Sequence, residues 1–167
     1  MNCPSCGAPM HVAVGRQDCL ACDYCKSVYF SEKNEDGVRI LDEVPGLLCP
    51  VCAIPLMNAS LTGLPLRYCK QCRGMLIQMG EFTALIDALR TEEGGVRIPP
   101  AADPSELRTK IDCPQCRQRM DTHFYAGGGN VVIEDCSSCL LNWLDHGKLM
   151  RIVHAPHGSD AEALDVI

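Results

Sequence analysis

The sequence predicts a small, β-rich fold made of three tandem cross-linked units rather than one large core. Three observations carry this. The 167-residue chain holds 13 cysteines, only 5% of its residues are aromatic, and one Cys-x-x-Cys opening recurs three times. Units below about 40 residues seldom fold on apolar burial alone and need disulfides, metal or partners.

The openings are "CPSCGAPM" at Cys3, "CPVCAIPL" at Cys49 and "CPQCRQRM" at Cys113. Each has proline after its first cysteine (Pro4, Pro50, Pro114) and an apolar residue four places after its second (Met10, Leu56, Met120). Later pairs answer two of them: Cys69 and Cys72 in "YCKQCRGMLI", and Cys136 and Cys139 in "DCSSCLLNWL". In the first unit, Cys19, Cys22 and Cys25 offer two overlapping pairs. Register chooses between them. Four and five places past the last cysteine lie Leu76–Ile77 and Trp143–Leu144, and choosing Cys22 and Cys25 puts Tyr29 and Phe30 there. Cys19 and Cys22 would put Lys26 and Ser27 at those places.

The lengths between paired turns are then 15, 16 and 19 residues, within the spacing window of four-cysteine zinc sites. The predicted ligand sets are Cys3, Cys6, Cys22 and Cys25; Cys49, Cys52, Cys69 and Cys72; and Cys113, Cys116, Cys136 and Cys139. Each turn supplies two soft thiolates, and two facing turns close a tetrahedron around Zn²⁺. Metal is preferred to disulfides because "MNCPSC" lacks the basic start and apolar run of a secretory signal. No apolar run reaches the roughly 18 residues that span a bilayer. The expected location is the cytoplasm, where thiols stay reduced. Three structural zinc ions are the expected cofactors. Closed four-thiolate sites cannot activate water, so no catalysis is expected.

Between the paired turns, "MHVAVGRQDCLAC", "LMNASLTGLPLRYC" and "MDTHFYAGGGNVVIEDC" read as hairpins turning near Gly15, near Gly63 and at Gly127–Gly129. Two knuckles joined by a hairpin, with a third strand after the last knuckle, make a zinc ribbon. The predicted architecture is thus three tandem zinc ribbons with short helices and flexible linkers. Ribbon 1 covers 1–34, ribbon 2 with a C-terminal helix 47–93, a linker 94–111, ribbon 3 112–153 and a tail 154–167.

Cys19 is left over. It sits three places before Cys22, where the other units have Leu66 and Ile133. A small buried hydrophobe is the preferred reading. A spare thiol that exchanges onto metal or senses oxidants is the other. Phe82, Leu85, Ile86 and Leu89 fall at helical spacing before Gly94–Gly95, predicting an amphipathic helix of about three turns. Its apolar face is expected on the neighbouring ribbon, the alternative being display to a partner. The Gly- and Pro-rich "GGVRIPPAADPSELRTK" reads as the linker, "LDHGKLMRIV" as a short helix and "HAPHGSDAEALDVI" as an acidic tail.

His154 and His157 form an H-x2-H pair interrupted by Pro156 and read as exposed tail residues. His11, His123 and His146 have no evident carboxylate or nucleophile partner in the sequence. There is no phosphate-binding glycine loop, no H-E-x-x-H and no nucleophile elbow.

The units resemble transcription factor IIB-type zinc-ribbon domains, whose pattern opens with C-P-x-C and ends C-x-x-C-x-G-x-W-L-D-x-G-E-L. Unit 2 matches at Gly74, Gly80 and Glu81; unit 3 matches at Trp143, Leu144, Asp145, Gly147 and Leu149, with Leu141 and Lys148 in place of the glycine and glutamate. Unit 1 keeps the cysteines and the apolar pair. The resemblance implies fold and metal.

Charge then separates the functional readings. Net charge is −6, and each four-thiolate zinc site adds about −2. The one basic cluster, Arg67, Lys70 and Arg73, is read as offsetting thiolate charge rather than as a phosphate footprint. The expectation is a protein–protein interaction adaptor whose ribbons engage partner proteins in a larger complex. Nucleic-acid binding is the alternative, disfavoured by charge, and a thiol redox switch is the second alternative.

Overall fold

The computed structural model describes residues 1–156; the chain from His157 onward, including most of the expected acidic tail, lies outside the described residues. Unit 1 forms a three-stranded antiparallel sheet of β1 (Met10–Val12), β2 (Leu20–Cys22) and β3 (Val28–Tyr29), in that order. Unit 2 repeats this plan with β5 (Pro55–Leu61), β6 (Leu64–Tyr68) and β7 (Met75–Gln78). Unit 3 does so with β8 (Asp121–Phe124), β9 (Val132–Cys136) and β10 (Leu141–Leu144). The tight β5–β6 turn places Thr62 and Gly63 at φ 52° and 86°, the pair of positive values that matches strand twist in a two-residue hairpin.

Units 2 and 3 are not separate bodies, contrary to the sequence expectation of several small units. Their third strands pair with each other, giving one seven-stranded sheet in the order β4-β5-β6-β7-β10-β9-β8. Leu76 faces Trp143 across this junction, flanked by Met75 opposite Leu144 and Ile77 opposite Asn142. Leu76 and Trp143 hold the same place after their last cysteines, so the junction has an approximate two-fold axis through that pair. It is the geometry of a symmetric dimer contact contained in one chain.

The sheet also reaches further upstream than the predicted start at 47. A ten-residue strand, β4 (Arg39–Leu48), lies against β5 with two register irregularities. Pro45 and Gly46 sit inside it, which is why the segment does not read as a strand; proline is tolerated on an edge or at a bulge. β4 also packs on unit 1, lending Leu41 to the small core of Cys3, Met10, Leu20 and Cys22.

Helix α1 (Met79–Glu93) follows β7, and α2 (Lys148–Val153) follows β10. Both lie on one face of the large sheet. Phe82, Leu85, Ile86 and Leu89 are all buried, and Leu149, Ile152 and Val153 of α2 repeat the first three positions. Burial of this face on the chain's own sheet excludes its display to a partner. Arg90 clamps the two helices by donating from Nε to Val153 O and from Nη2 to Ile152 O, both at 3.0 Å. The Met79 N–H, at the start of α1, donates to Leu140 O at 2.9 Å, so unit 3 anchors the helix of unit 2.

The opposite face holds a second core in which Trp143, fully buried, packs with Leu76, Leu141, Leu56 and Met120. Gly74 makes room for it: a Cβ there would sit 2.3 Å from Trp143 Cζ2. The segment read as a linker is tied down at several points. Arg97 N–H donates to His154 O at 2.8 Å, Asn130 Nδ2 to Pro100 O at 3.2 Å, and a 3-10 turn at Pro104–Arg108 carries Glu106 to within 3.3 Å of Lys148 Nζ.

Candidate metal centres

The six Cys-x-x-Cys turns are closed by the same backbone device. In five of them the first cysteine's N–H donates to the carbonyl five places on, from Cys3 N to Ala8 O at 2.7 Å through Cys113 N to Gln118 O at 2.7 Å. In the sixth, Cys136 pairs with Leu141 in the sheet. The residue after each second cysteine has positive φ: Gly7, Lys26, Ala53, Arg73, Arg117 and Leu140, between 56° and 76°. A left-handed residue there turns the chain so that both sulfurs point to one side. For non-glycine residues this conformation costs of order 1 kcal/mol or more, and metal coordination offsets it. Lys26 adopts it and the residue after Cys22 does not, so the backbone itself selects Cys22 and Cys25.

These turns bring together the three predicted sets: Cys3, Cys6, Cys22 and Cys25; Cys49, Cys52, Cys69 and Cys72; and Cys113, Cys116, Cys136 and Cys139. Within each set the four sulfurs lie within 4.8 Å of one another. The cross-turn separations Cys3–Cys25 and Cys6–Cys22 are 3.5 Å, and Cys49–Cys72 and Cys116–Cys136 are 3.6 Å. Disulfide sulfurs would be about 2.05 Å apart, whereas a tetrahedron with Zn–S bonds near 2.3 Å separates its sulfurs by about 3.8 Å. The residues fit zinc, and all thirteen cysteines are free of disulfides.

Local donors favour the thiolate form. The N–H groups of Val51 and Cys52 both donate to Cys49 Sγ at 3.4 Å and offset part of the burial that pushes this thiol up to about 11. Ser27 Oγ lies 2.8 Å from Cys25 Sγ and, with its backbone, lowers that thiol to about 6.

Residues 48–88 match a family model described as a transcription factor zinc-finger. Over these residues the second unit is similar to that family, and its four-cysteine set has the layout of a zinc ribbon. The match runs through the Cys49–Cys72 set, β7 and most of α1, and the other two units repeat its knuckles and hairpin. The chain therefore carries three tandem zinc ribbons with three structural zinc ions. Neither the curated proteins nor the solved structures contain a match to this chain. Among the described residues no helix is long and apolar enough to cross a membrane.

Ribbons 2 and 3 share more than a sheet. Cys49, Cys69, Cys113 and Cys136 all belong to the core around Trp143, so the two metal centres brace one apolar cluster from either side. Ribbon 1 has its own small core. Cys19, next to Leu20 of that core, is itself fully buried and outside every ligand set, and burial pushes its thiol up, as expected for a packing residue.

Of the basic cluster, Arg73 is engaged by carboxylates. Arg73 reaches Asp36 through Nε at 2.8 Å and through Nη2, and its Nη1 lies 3.3 Å from Glu35. Tyr68 Oη donates to the same Asp36 at 2.7 Å, and Arg73, with Tyr68, holds that carboxyl below its ordinary range. Asp36 thereby pins the loop before β4 onto ribbon 2. Lys70 is exposed, and Arg67 lines a cavity together with Gln78 and Gln115. The histidines also gain carboxylate partners invisible in sequence: His11 with Asp23 at 3.3 Å, His123 with Asp135 at 3.1 Å and His146 with Asp36 at 3.7 Å. None joins a metal set among the described residues. His154 caps the end of α2 rather than standing free, and His157 lies outside the described residues.

Proposed function

We propose that the chain is a non-catalytic, protein-binding adaptor, with ribbons 2 and 3 as a braced body and ribbon 1 as the module that meets a partner. The observation that carries this is the state of the third strand. In ribbons 2 and 3 that strand is buried against its counterpart, whereas β3 is an edge strand, with Val28 in it and Phe30 just past its end 52% and 46% exposed. Tyr24 and Val14 of the same ribbon are also exposed. An open edge with apolar side chains can accept an added strand.

The charge distribution supports protein over nucleic acid as partner. Arg73 is engaged by Asp36 and Glu35, which removes one member of the basic cluster. Four-thiolate zinc has no open coordination position, which supports a non-catalytic role. Thiols that must stay reduced to hold metal fit the cytoplasm.

The test is a native pull-down with and without nuclease, run in parallel with a Val28→Asp/Phe30→Asp chain shown to retain three zinc ions. A discrete set of proteins that survives nuclease and is lost with the double variant supports the adaptor. Nucleic acid retained alone, or proteins released by nuclease, would overturn it.

A further inference from the structure

Ribbons 2 and 3 carry an oppositely charged pair at matching places and use it differently. Arg67 lies two places before Cys69 as Glu134 lies two before Cys136, and Glu81 follows Gly80 as Lys148 follows Gly147. In ribbon 3 the pair meets at the limit of ion-pair range, with no hydrogen bond to either Glu134 oxygen, and the lysine is neutralised mainly by other carboxylates. Lys148 Nζ is 4.0 Å from Glu134, 2.7 Å from Asp145 and 3.3 Å from Glu106, and both Lys148 and Glu134 are buried.

In ribbon 2 the same pair stands open. Among the described residues neither Arg67 nor Glu81 enters an ion pair within 4.0 Å. Arg67 makes a long 3.4 Å hydrogen bond from Nη1 to its neighbour's carbonyl, Leu66 O. Burial disfavours its charge, which the field of Asp42 only partly restores; Asp42 is itself occupied by Asn58 Nδ2 at 2.7 Å. Both charged residues line a cavity of about 550 Å³ where all three ribbons converge. Gln78 and Gln115 add amides, and Leu47, Leu76 and Leu141 add apolar wall.

A half-buried guanidinium and a carboxylate that do not reach each other are each costly to desolvate. A ligand that brings the opposite charge to each would recover that cost through charge-assisted hydrogen bonds. The volume falls in the range of small-molecule sites, about 300–1,000 Å³. We propose that this cavity binds a small free amphoteric ligand, a carboxylate and a cationic nitrogen on an apolar stem, with Arg67 holding the carboxylate and Glu81 the nitrogen. α-Amino acids with aliphatic side chains are the simplest such compounds, and ω-amino acids offer a wider charge spacing. The site is independent of the β3 edge, so its failure would leave the adaptor proposal standing.

The experiment uses the full zinc-loaded chain and follows the side-chain NMR signals of Arg67, Gln78 and Gln115. Four probes are titrated: leucine, 6-aminohexanoate, N-acetylleucine and leucinamide. One of the two amphoteric probes is expected to shift these signals with a Kd of about 1 mM or tighter. The singly charged probes should bind at least about tenfold more weakly, because each leaves one charge unmatched. Arg67→Met and, independently, Glu81→Gln should abolish the preference while zinc stays at three. The proposal is overturned if no probe moves these signals, if N-acetylleucine or leucinamide binds as well as the amphoteric pair, or if Glu81→Gln leaves the preference intact. Glu81 lies in the first turn of α1 and outside the cores, so that variant decides the matter even if Arg67→Met fails to fold.

Discussion

Ribbon 1 and the joined pair of ribbons 2 and 3 start from the same knuckles, the same hairpin and the same metal set, and they end in different structures. In the pair, the strand after the last knuckle finds an equal across a two-fold axis and is buried on both faces. In ribbon 1 it remains a two-residue edge. The family motif shows how the pair was made unequal. Ribbon 2 keeps the motif glycine, Gly74, and ribbon 3 keeps the motif tryptophan, Trp143, and these two meet across the junction. Their two-fold mates are Leu141 and Leu76. A bulky side chain on one side and a missing one on the other make a junction that favours 2 against 3 over either ribbon against itself. Specificity of this kind comes from shape that fits one partner and clashes with another.

The largest contrast should come from removing one metal ligand. Cys3→Ser is expected to lower zinc from three ions to two and unfold ribbon 1, since a structural zinc contributes about 10–16 kcal/mol to so small a unit. The joined pair should not notice. Trp143 is the only tryptophan in the chain, so its emission reports the junction and is expected to stay unchanged.

Next in size is Gly74→Ala, which drives a methyl into the indole. Overpacking of this kind costs about 1–3 kcal/mol, and Trp143 emission should shift to the red as the ring is displaced. Adding Trp143→Leu should return part of the loss, because the smaller side chain clears the new methyl. A double variant no more stable than Gly74→Ala alone would show that the contact is not what holds the ribbons together.

Glu134 gives a comparable effect with a pH signature. Burial pushes its carboxyl from 4.5 up to about 7, so the folded chain holds that proton more tightly than the unfolded one. The destabilising cost is therefore absent below about pH 4.5, grows as pH rises and is complete above pH 7. Glu134→Gln should stabilise the chain by about 1–3 kcal/mol at pH 8 and by progressively less toward pH 5. Lys148 keeps Asp145 and Glu106 in the variant. Denaturant melts at both pH values with zinc in excess measure it. Smallest of all is Cys19→Ala: zinc stays at three and stability drops by about 1 kcal/mol, the scale of a small core truncation.

The local chemistry was legible in the sequence because it is periodic. Cysteine spacing gave the twelve ligands, and repeat register chose Cys22 and Cys25 over Cys19. Glycines marked the turns, and Phe82, Leu85, Ile86 and Leu89 marked the face of α1. What escaped was contact between repeats. β4 hides behind Pro45 and Gly46, which punctuate a strand that bends rather than stops. The β7–β10 junction leaves only an indirect trace, the apolar run "MLI" and the run "LLNWL", interrupted only by Asn142. Such runs fit a strand buried on both faces better than one facing solvent. The open charge pair of Arg67 and Glu81 has no local signature at all, because the cavity between them exists only once three ribbons meet.

Hydrogen exchange on a Cys113→Ser chain tests the central claim, that ribbons 2 and 3 form one body and ribbon 1 another. Loss of zinc from ribbon 3 should strip protection from β8 to β10 and also from β7 and the start of α1, whose partners are Leu141–Leu144 and Leu140. Amides of β1 to β3 should keep their protection. Loss confined to residues 112–153, with β7 still protected, would contradict it and return the chain to three ribbons that fold one by one.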